Sequence, residues 1–199
     1  MNPAPSISSI WLEHLARNPG EVACTATDGA SLPFADATES AAEHLLQARR
    51  LGRKVLVIGN GGSAAIASHM QTDLCHSLGI RGLVFNEPPL LTALANDNGY
   101  ENAFRRLVDL WADAGDLLVA ISSSGRSPNI LNACAAARAH GLAILTYSGF
   151  GADNALRRAG DLNFYVANAS YGPVESAHAV LVHHLTDRVL ARLRAEEEA

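Results

Sequence analysis

Short apolar runs alternate with longer amphipathic stretches along most of this 199-residue chain. The apolar runs are rich in valine, isoleucine and leucine and are bounded by glycine or polar turns, which is typical of buried parallel strands. The predicted strands lie at 54–59, 82–85, 115–121, 141–147 and 161–166. Helices are predicted at 64–78, after the prolines of 86–95, and at 101–112, 130–140, 154–159 and 173–194, with a polar turn at 96–99. This alternation predicts a three-layer α/β/α sandwich around a parallel sheet with right-handed crossovers.

The first fifty residues have a different pattern. Residues 6–17 have the spacing of a short helix, which Pro19 and Gly20 end, and residues 21–32 are mixed and polar. A second helix is predicted at 33–50. We therefore expect one domain, 1–199, in which an N-terminal helical segment (1–50) precedes an α/β core (51–194). Its two helices would either pack against another subunit or cover a face of the sheet.

Composition argues against several classes of protein. The formal net charge is -5 and Lys54 is the one lysine, so the chain lacks the clustered basic residues that bind nucleic acid or anionic membranes. Cys24, Cys75 and Cys134 are odd in number and widely spaced, and no basic segment leads into an apolar leader at the N-terminus. These features predict a reduced, cytoplasmic protein, and no run is long enough to span a bilayer.

A glycine-rich turn follows the first apolar strand. It contains Asn60, Gly61, Gly62 and Ser63. Glycine lets the backbone bend and approach a ligand closely, and Ser63 can cap the next helix, whose free N–H groups favour a phosphate. A turn needed only for packing would also carry glycine. The pattern therefore indicates an anion site without proving one.

A serine-rich turn follows the 115–121 strand. Its four hydroxyls lie within six residues, at the carboxyl end of a strand where open α/β sheets bind ligands. They belong to Ser122, Ser123, Ser124 and Ser127. A single serine would indicate only a helix cap, whereas four favour a phosphate site. Arg126 would either add positive charge to that site or be solvated.

Two helices carry side chains that can bind a metal or transfer protons. His69 and Asp73 are four residues apart and share a helix face. On the closing helix, Glu175 and His183 project about 80° apart, which makes His183 the best partner for Glu175. Their eight residues rise roughly 12 Å, so both reach one metal only if Glu175 lies in an irregular first turn or two subunits share the site. Two further imidazoles are expected to pack or be solvated: His178 and His184.

The order and spacing of these features resemble those of a known family. The chain from about 39 to 193 is similar to the sugar isomerase (SIS) domain, and within it to the phosphoheptose isomerases. The motifs that carry the resemblance are GNGGS at 59–63, His69, AND at 95–97, SSSGRS at 122–127 and VESAHAVLVHH at 174–184. The resemblance implies a flavodoxin-like parallel sheet, a homotetramer and a zinc ion.

The resemblance also implies the residues of the site. A sugar phosphate would contact Asn60, Gly61, Gly62, Ser63, Asn96, Asp97 and Glu175, and its phosphate would be held by Ser122, Ser123, Ser124 and Ser127. The zinc ligands of the family match His69, Asp73, Glu175 and His183. Two of these four matches are not identities, because Asp73 stands where the family has its proton-shuttling glutamate and Glu175 where it has glutamine. Since Asp73 is one methylene shorter, either carboxylate remains a candidate for the base.

The implied activity is aldose–ketose isomerisation in heptose biosynthesis, from sedoheptulose 7-phosphate to D-glycero-D-manno-heptose 7-phosphate. Such a reaction needs a base for a C–H proton, an acid or Lewis acid for the enediolate, and a remote grip on the phosphate. We expect Asp73 or Glu175 to be the base and His183 the acid. The alternative is a non-catalytic SIS protein that binds a sugar phosphate or a protein partner, such as a replication-initiation regulator. The retained carboxylates and imidazoles argue against this alternative.

Overall fold

A computed structural model describes residues 22–198 as one seven-stranded sheet with helices on both faces. The strands are β1 (Val22–Ala26), β2 (Ser31–Leu32), β3 (Lys54–Gly59), β4 (Arg81–Val84), β5 (Leu117–Ser122), β6 (Ala143–Ser148) and β7 (Leu162–Val166). The helices are α1 (Phe34–Arg50), α2 (Gly62–Thr72), α3 (Pro88–Asn98), α4 (Tyr100–Trp111), α5 (Pro128–Ala139) and α6 (Tyr171–Glu197). The helix predicted at 6–17 lies outside the described residues.

The strand order confirms the predicted fold class. The sheet runs β2-β1-β7-β6-β5-β3-β4, and β3 to β7 are parallel. Counted in chain order, the five parallel strands lie in the order 2-1-3-4-5, which is the flavodoxin-like arrangement. The chain leaves β3 toward β4 on one side and returns to β5 on the other. The crevice at the carboxyl ends of β3 and β5 is therefore the topological switch point, where such sheets bind ligands.

Two short strands occupy part of the segment that the sequence predicts as helical. Strand β1 pairs antiparallel with β7, with Cys24 opposite Phe164, and β2 pairs antiparallel with β1. The expectation that only helices precede the first strand is therefore wrong at 22–32. The pattern there is too mixed to predict a strand, because β1 forms by pairing with an edge of β7 that lies about 140 residues away along the chain.

Three local predictions also need correction. The polar residues at 96–98 form the last turn of α3 rather than a loop, and the helix ends at Gly99, which has φ 77°. The helix predicted at 64–78 is two elements, because α2 gives way to a π-helical turn at Asp73–Ser77. The helix predicted at 154–159 is a single 3₁₀ turn, Leu156–Arg158.

Alternating side chains of each parallel strand build two hydrophobic cores. In β3, Val55 and Val57 pack toward α1, α2 and α6, whereas Leu56 and Ile58 pack toward α4 and α5. The start of α2 therefore lies on the same face as α6, and the start of α5 on the opposite face. No helix within residues 22–198 is both long enough and apolar enough to cross a bilayer.

Candidate functional site

The glycine turn (residues 59–63) is tightly wound. A Cβ placed on Gly59 would lie 2.6 Å from the carbonyl carbon of Ser63, and Gly61 has φ 53°. Helix α2 begins at Gly62 with Gly61 as its cap, and Ser63 is buried and makes no capping hydrogen bond. The prediction of a strand, a glycine turn and a helix is confirmed, but the prediction that Ser63 caps the helix is wrong.

The carboxylate of Glu175 packs directly against the glycine turn. A Cβ placed on Gly62 would lie 2.2 Å from Glu175 Oε2 and 2.6 Å from its Cδ. The negative charge therefore sits at the first turn of α2, where the helix dipole is positive. Only glycine at position 62 leaves room for this contact. The structure thus brings two of the predicted site residues together across two elements.

The serine loop (residues 122–127) joins β5 to α5. Ser122 Oγ and Ser127 Oγ lie 3.3 Å apart, and Ser124 Oγ accepts the Arg126 N–H at 3.3 Å. The hydroxyl of Ser123 is buried and has no hydrogen-bond partner among residues 22–198. A buried hydroxyl without a partner costs free energy unless a ligand satisfies it. The loop therefore presents an unused donor at the switch point of the sheet.

A buried asparagine supports the serine loop from behind. Asn154 donates to the carbonyl oxygens of Gly149 and Gly151 at 3.1 and 2.9 Å, and its own oxygen fills the space where Gly125 would carry a Cβ. Gly125 has φ 60°, so it is required both for its backbone conformation and for this contact. Arg126 is exposed and pairs with Asp153 at 3.2 Å, so part of its charge is balanced by that carboxylate.

Three of the four predicted metal ligands converge. His69 Nε2 lies 3.6 Å and His183 Nδ1 lies 3.7 Å from Asp73 Oδ2, and the two imidazole centroids are 4.5 Å apart. The candidate ligand atoms all lie within 4.8 Å of one another. Thr186 Oγ1 lies 3.3 Å from Asp73 Oδ2 and 3.1 Å from the carbonyl oxygen of His183, so its one proton is shared between the carboxylate and the backbone. Asp73 is the first residue of the π-helical turn, a widening of the helix that is frequent at functional sites.

Glu175 lies outside this histidine–aspartate group (His69, Asp73 and His183) within one chain. It contacts Gly62 at the start of α2, whereas the group lies at the end of α2. Eight residues of α6 separate Glu175 from His183, a rise of about 12 Å. The residue lies inside a regular helix, so an irregular first turn does not bring it closer. Its predicted role as a fourth ligand therefore requires a second subunit.

The remaining predicted residues divide between the last turn of α3 and the crevice. Asn96 and Asp97 are exposed in the last turn of α3, and Asn96 Nδ2 donates to Asp97 Oδ1 at 2.8 Å. Asn60 lines a cleft of about 240 Å³ between β3, α2 and α4. Its carboxamide pairs with that of Asn129 and receives a hydrogen bond from Tyr100. Sequence analysis missed Asn129 and Tyr100, although Tyr100 directly follows the predicted turn at 96–99 and Asn129 lies two residues after the serine loop.

The two other imidazoles of α6 have packing roles, as predicted. His178 is fully buried, and its Nε2 lies 3.2 Å from the carbonyl oxygen of Ser148. Burial lowers the pKa of His178 to about 4, so the ring is neutral at physiological pH. His184 stacks on Phe34, with ring centroids 5.5 Å apart.

Known proteins are similar to this chain in sequence. The SIS domain family matches residues 33–149. A phosphoheptose isomerase from Bradyrhizobium sp. (strain ORS 278) is 37% identical over 150 residues, which is 72% of this chain and 74% of that protein. A second, from Shewanella denitrificans, is 33% identical over 177 residues, which is 82% of this chain and 88% of that protein.

Solved structures that are similar to this chain include phosphoheptose isomerases as well. A phosphoheptose isomerase from Francisella tularensis superposes with a TM-score of 0.80 at 26% identity, covering 95% of this chain and 100% of that one. The enzyme of the same name from Neisseria gonorrhoeae gives a TM-score of 0.77 at 26% identity, covering 92% and 94%. The Vibrio vulnificus NanR protein, complexed with ManNAc-6P, shares the fold at 16% identity, with a TM-score of 0.70.

Proposed function

This chain belongs to the SIS domain family and to its phosphoheptose isomerases, and from that premise we propose that it converts sedoheptulose 7-phosphate into D-glycero-D-manno-heptose 7-phosphate. An isomerase of a sugar phosphate in heptose biosynthesis is what its relatives indicate. The observation that carries the proposal is the serine loop at the switch point, with its buried and unpaired Ser123 hydroxyl; the loop follows β5, which pairs with β3, the strand that leads into the glycine turn.

The serine loop would hold the phosphate. Its hydroxyls and the positive end of the α5 dipole suit a dianion, and the remote grip would position the reacting carbons. Asn60 and the backbone of Gly61 and Gly62 would contact the sugar, as would Asn96 and Asp97 of α3.

Isomerisation moves one proton from C1 of the ketose to C2, through an enediolate, while the oxygen on C2 gains a proton and the oxygen on C1 loses one. We assign the base to Glu175, because its carboxylate lies at the glycine turn beside the phosphate grip. Asp73, by contrast, lies between two imidazoles and accepts from Thr186. His183 would supply or accept the proton on oxygen.

The histidine–aspartate group fits a zinc ion. Two imidazole nitrogens and one carboxylate oxygen are the donors of many catalytic zinc sites, and three protein ligands leave a position open. Both imidazole side chains are 53% exposed, so an ion or substrate can reach them. When bound, zinc supplies a Lewis acid that polarises a substrate oxygen.

Substituting one serine should weaken phosphate binding measurably. Ser124→Ala removes a hydroxyl from the rim of the serine loop without disturbing the buried core. We expect the free energy of sugar-phosphate binding to weaken by at least about 1 kcal/mol, because a hydrogen bond to a charged group contributes about 1.5–3 kcal/mol. Calorimetric titration of both proteins would measure the difference, and equal affinities would show that the loop is not the phosphate grip.

A homotetramer is the proposed assembly. Within one chain, Glu175 lies far from the histidine–aspartate group along α6. In a tetramer, Glu175 of one subunit could lie beside the histidine–aspartate group of another. Exposed apolar side chains are available for such contacts, with Leu110 75% and Trp111 49% exposed. Light scattering at micromolar concentration should report a tetramer. A monomer that is nevertheless active would mean that the site needs no partner.

We also propose that the enzyme works in the cytoplasm. Its three cysteines are free thiols, as a reducing compartment would keep them. Burial raises the pKa of Cys24 to about 11, so this thiol is unreactive at neutral pH.

The proposed activity can be tested directly. Purified protein would be incubated with zinc and a panel of ketose phosphates of five to seven carbons, and the aldose formed would be followed by chromatography. Aldose should form fastest from sedoheptulose 7-phosphate. Tight binding of the sugar phosphate without any aldose would instead identify a binding protein of the SIS fold.

A further inference from the structure

The carboxamide of Asn60 is hydrogen-bonded through both of its polar atoms. Its Oδ1 accepts from the Tyr100 hydroxyl at 2.8 Å and from Asn129 Nδ2 at 2.9 Å, and its Nδ2 donates to Asn129 Oδ1 at 3.0 Å. A carboxamide has two acceptor lone pairs and two N–H donors. Both lone pairs of Asn60 are therefore used, and one N–H remains.

A backbone donor fixes the orientation of both carboxamides. The N–H of Ile130 is shared between Asn129 Oδ1 at 3.0 Å and the carbonyl oxygen of Ser127 at 3.1 Å, and a backbone N–H this close to the carboxamide would repel its nitrogen, because both groups can only donate. Asn129 must therefore present its oxygen to Ile130 and to Asn60 Nδ2, and its nitrogen to Asn60 Oδ1. Turning over either carboxamide would place oxygen against oxygen and nitrogen against nitrogen.

The three side chains join three separate parts of the crevice. Asn60 follows β3 in the glycine turn, Asn129 follows the serine loop at the start of α5, and Tyr100 opens α4. Asn129 is 2% exposed and Tyr100 is 47% exposed. A buried amide pair therefore connects the two proposed substrate turns, and an accessible hydroxyl ties the α3–α4 hairpin to them.

We propose that Tyr100 and Asn129 are positioning residues that hold Asn60 as a pure hydrogen-bond donor, with one N–H and no acceptor left for the cleft that it lines. Asn60 would then pair only with a substrate oxygen that accepts, and would stabilise the oxygen on which negative charge develops during isomerisation. A donor fixed in advance costs no reorganisation at that moment. A carboxamide free to rotate could instead turn its own oxygen toward the same charge. This inference rests on the proposed isomerase function, because it concerns the same site.

The fixed orientation of the Asn60 carboxamide can be tested without substrate. In ¹H–¹⁵N spectra, the Asn60 and Asn129 side-chain amide protons that pair the two carboxamides should exchange slowly with water in the parent protein, whereas the unpaired Asn60 proton should exchange faster. Tyr100→Phe removes only the hydroxyl, and should shift the Asn60 amide signals and speed their exchange at least about threefold. Signals that do not change would refute the role of Tyr100, whether or not the protein is an isomerase.

The kinetic consequence is a loss in turnover. Tyr100→Phe should lower kcat about tenfold while changing KM less than twofold, because the donor acts on charge that develops after binding. If Tyr100 acts through Asn60, Asn60→Ala with Tyr100→Phe should be no slower than Asn60→Ala alone. Additive losses in the double variant would show that Tyr100 acts by another route.

A matched control separates positioning from general damage. Tyr171→Phe also removes the hydroxyl of an exposed tyrosine, one whose ring packs on Phe150 with centroids 4.9 Å apart. It should leave the Asn60 signals and kcat unchanged. If the parent protein turns over no sugar phosphate, the proposed function fails. The amide spectra still decide whether Tyr100 and Asn129 fix the orientation of Asn60.

Discussion

His183→Ala is expected to abolish both metal retention and turnover. The substitution removes one of three converging donors, and it also removes the proposed acid. Loss of a ligand from a three-donor site leaves a histidine–carboxylate pair, which is common on helix surfaces and binds zinc weakly. We expect kcat to fall at least about a thousandfold, since both an acid and an electrophile are lost. Elemental analysis of the purified variant and a coupled assay would measure the two effects.

His184→Ala is the matched control for this experiment. It removes the adjacent imidazole on the same helix, which stacks on Phe34 and lies outside the histidine–aspartate group. Metal content and turnover should both be retained. A parent protein that holds no stoichiometric metal, and whose activity is unaffected by a chelator, would show that the cluster acts in acid–base chemistry only.

Two carboxylate variants should then separate ligand from base. Asp73→Asn should lose zinc and activity together, because Asp73 lies between the two imidazoles. Glu175→Gln should keep zinc and lose turnover, because its carboxylate lies at the glycine turn. The opposite result, zinc retained and turnover lost in Asp73→Asn, would move the base to Asp73.

The free energy of unfolding should fall as the pH drops below 6.5. The buried ring of His178 is neutral in the folded protein, because burial lowers its pKa from 6.5 to about 4. The unfolded chain takes up this proton near pH 6.5 and the folded protein only near pH 4, so protons favour unfolding between these values. The stability that His178 contributes is therefore complete above pH 6.5 and lost by pH 4. A pKa shift of this size corresponds to about 3 kcal/mol in the free energy of unfolding.

Urea unfolding of metal-free protein from pH 4 to 7.5 would measure this loss. His178→Gln should flatten the pH dependence by about one proton, because the ionising group is gone. His184→Gln keeps His178 and should retain the slope. An unchanged slope in His178→Gln would assign the acid lability to other groups.

Much of the α/β core follows from local sequence. The apolar run at 54–59 with its glycine turn predicts a buried strand, a bend and a helix, and β3 and α2 confirm it. The serine loop is predicted for the same reason, because hydroxyls that follow a buried parallel strand lie at the carboxyl end of the sheet, where open α/β sheets bind ligands. Periodicity carries this information because it reflects neighbours two to four residues apart.

The sequence also identifies residues of the site without their arrangement. His69 and Asp73 share a helix face by spacing alone, and His183 joins them only because α6 packs beside α2. Spacing along α6 correctly indicates that Glu175 and His183 are far apart. It cannot show that Gly62 is where Glu175 makes contact.

Local sequence therefore determined the alternation of strands and helices, the glycine turn, the serine loop and the candidate donors, because each depends on near neighbours in the chain. The tertiary structure alone decided the antiparallel pairing of β1 with β7, the π-helical turn at Asp73 and the contact of Glu175 with Gly62. It alone also decided the pairing of Asn60 with Asn129 and Tyr100. Each of these depends on groups that lie tens of residues apart, and packing and hydrogen bonding between such groups leave no period in the sequence.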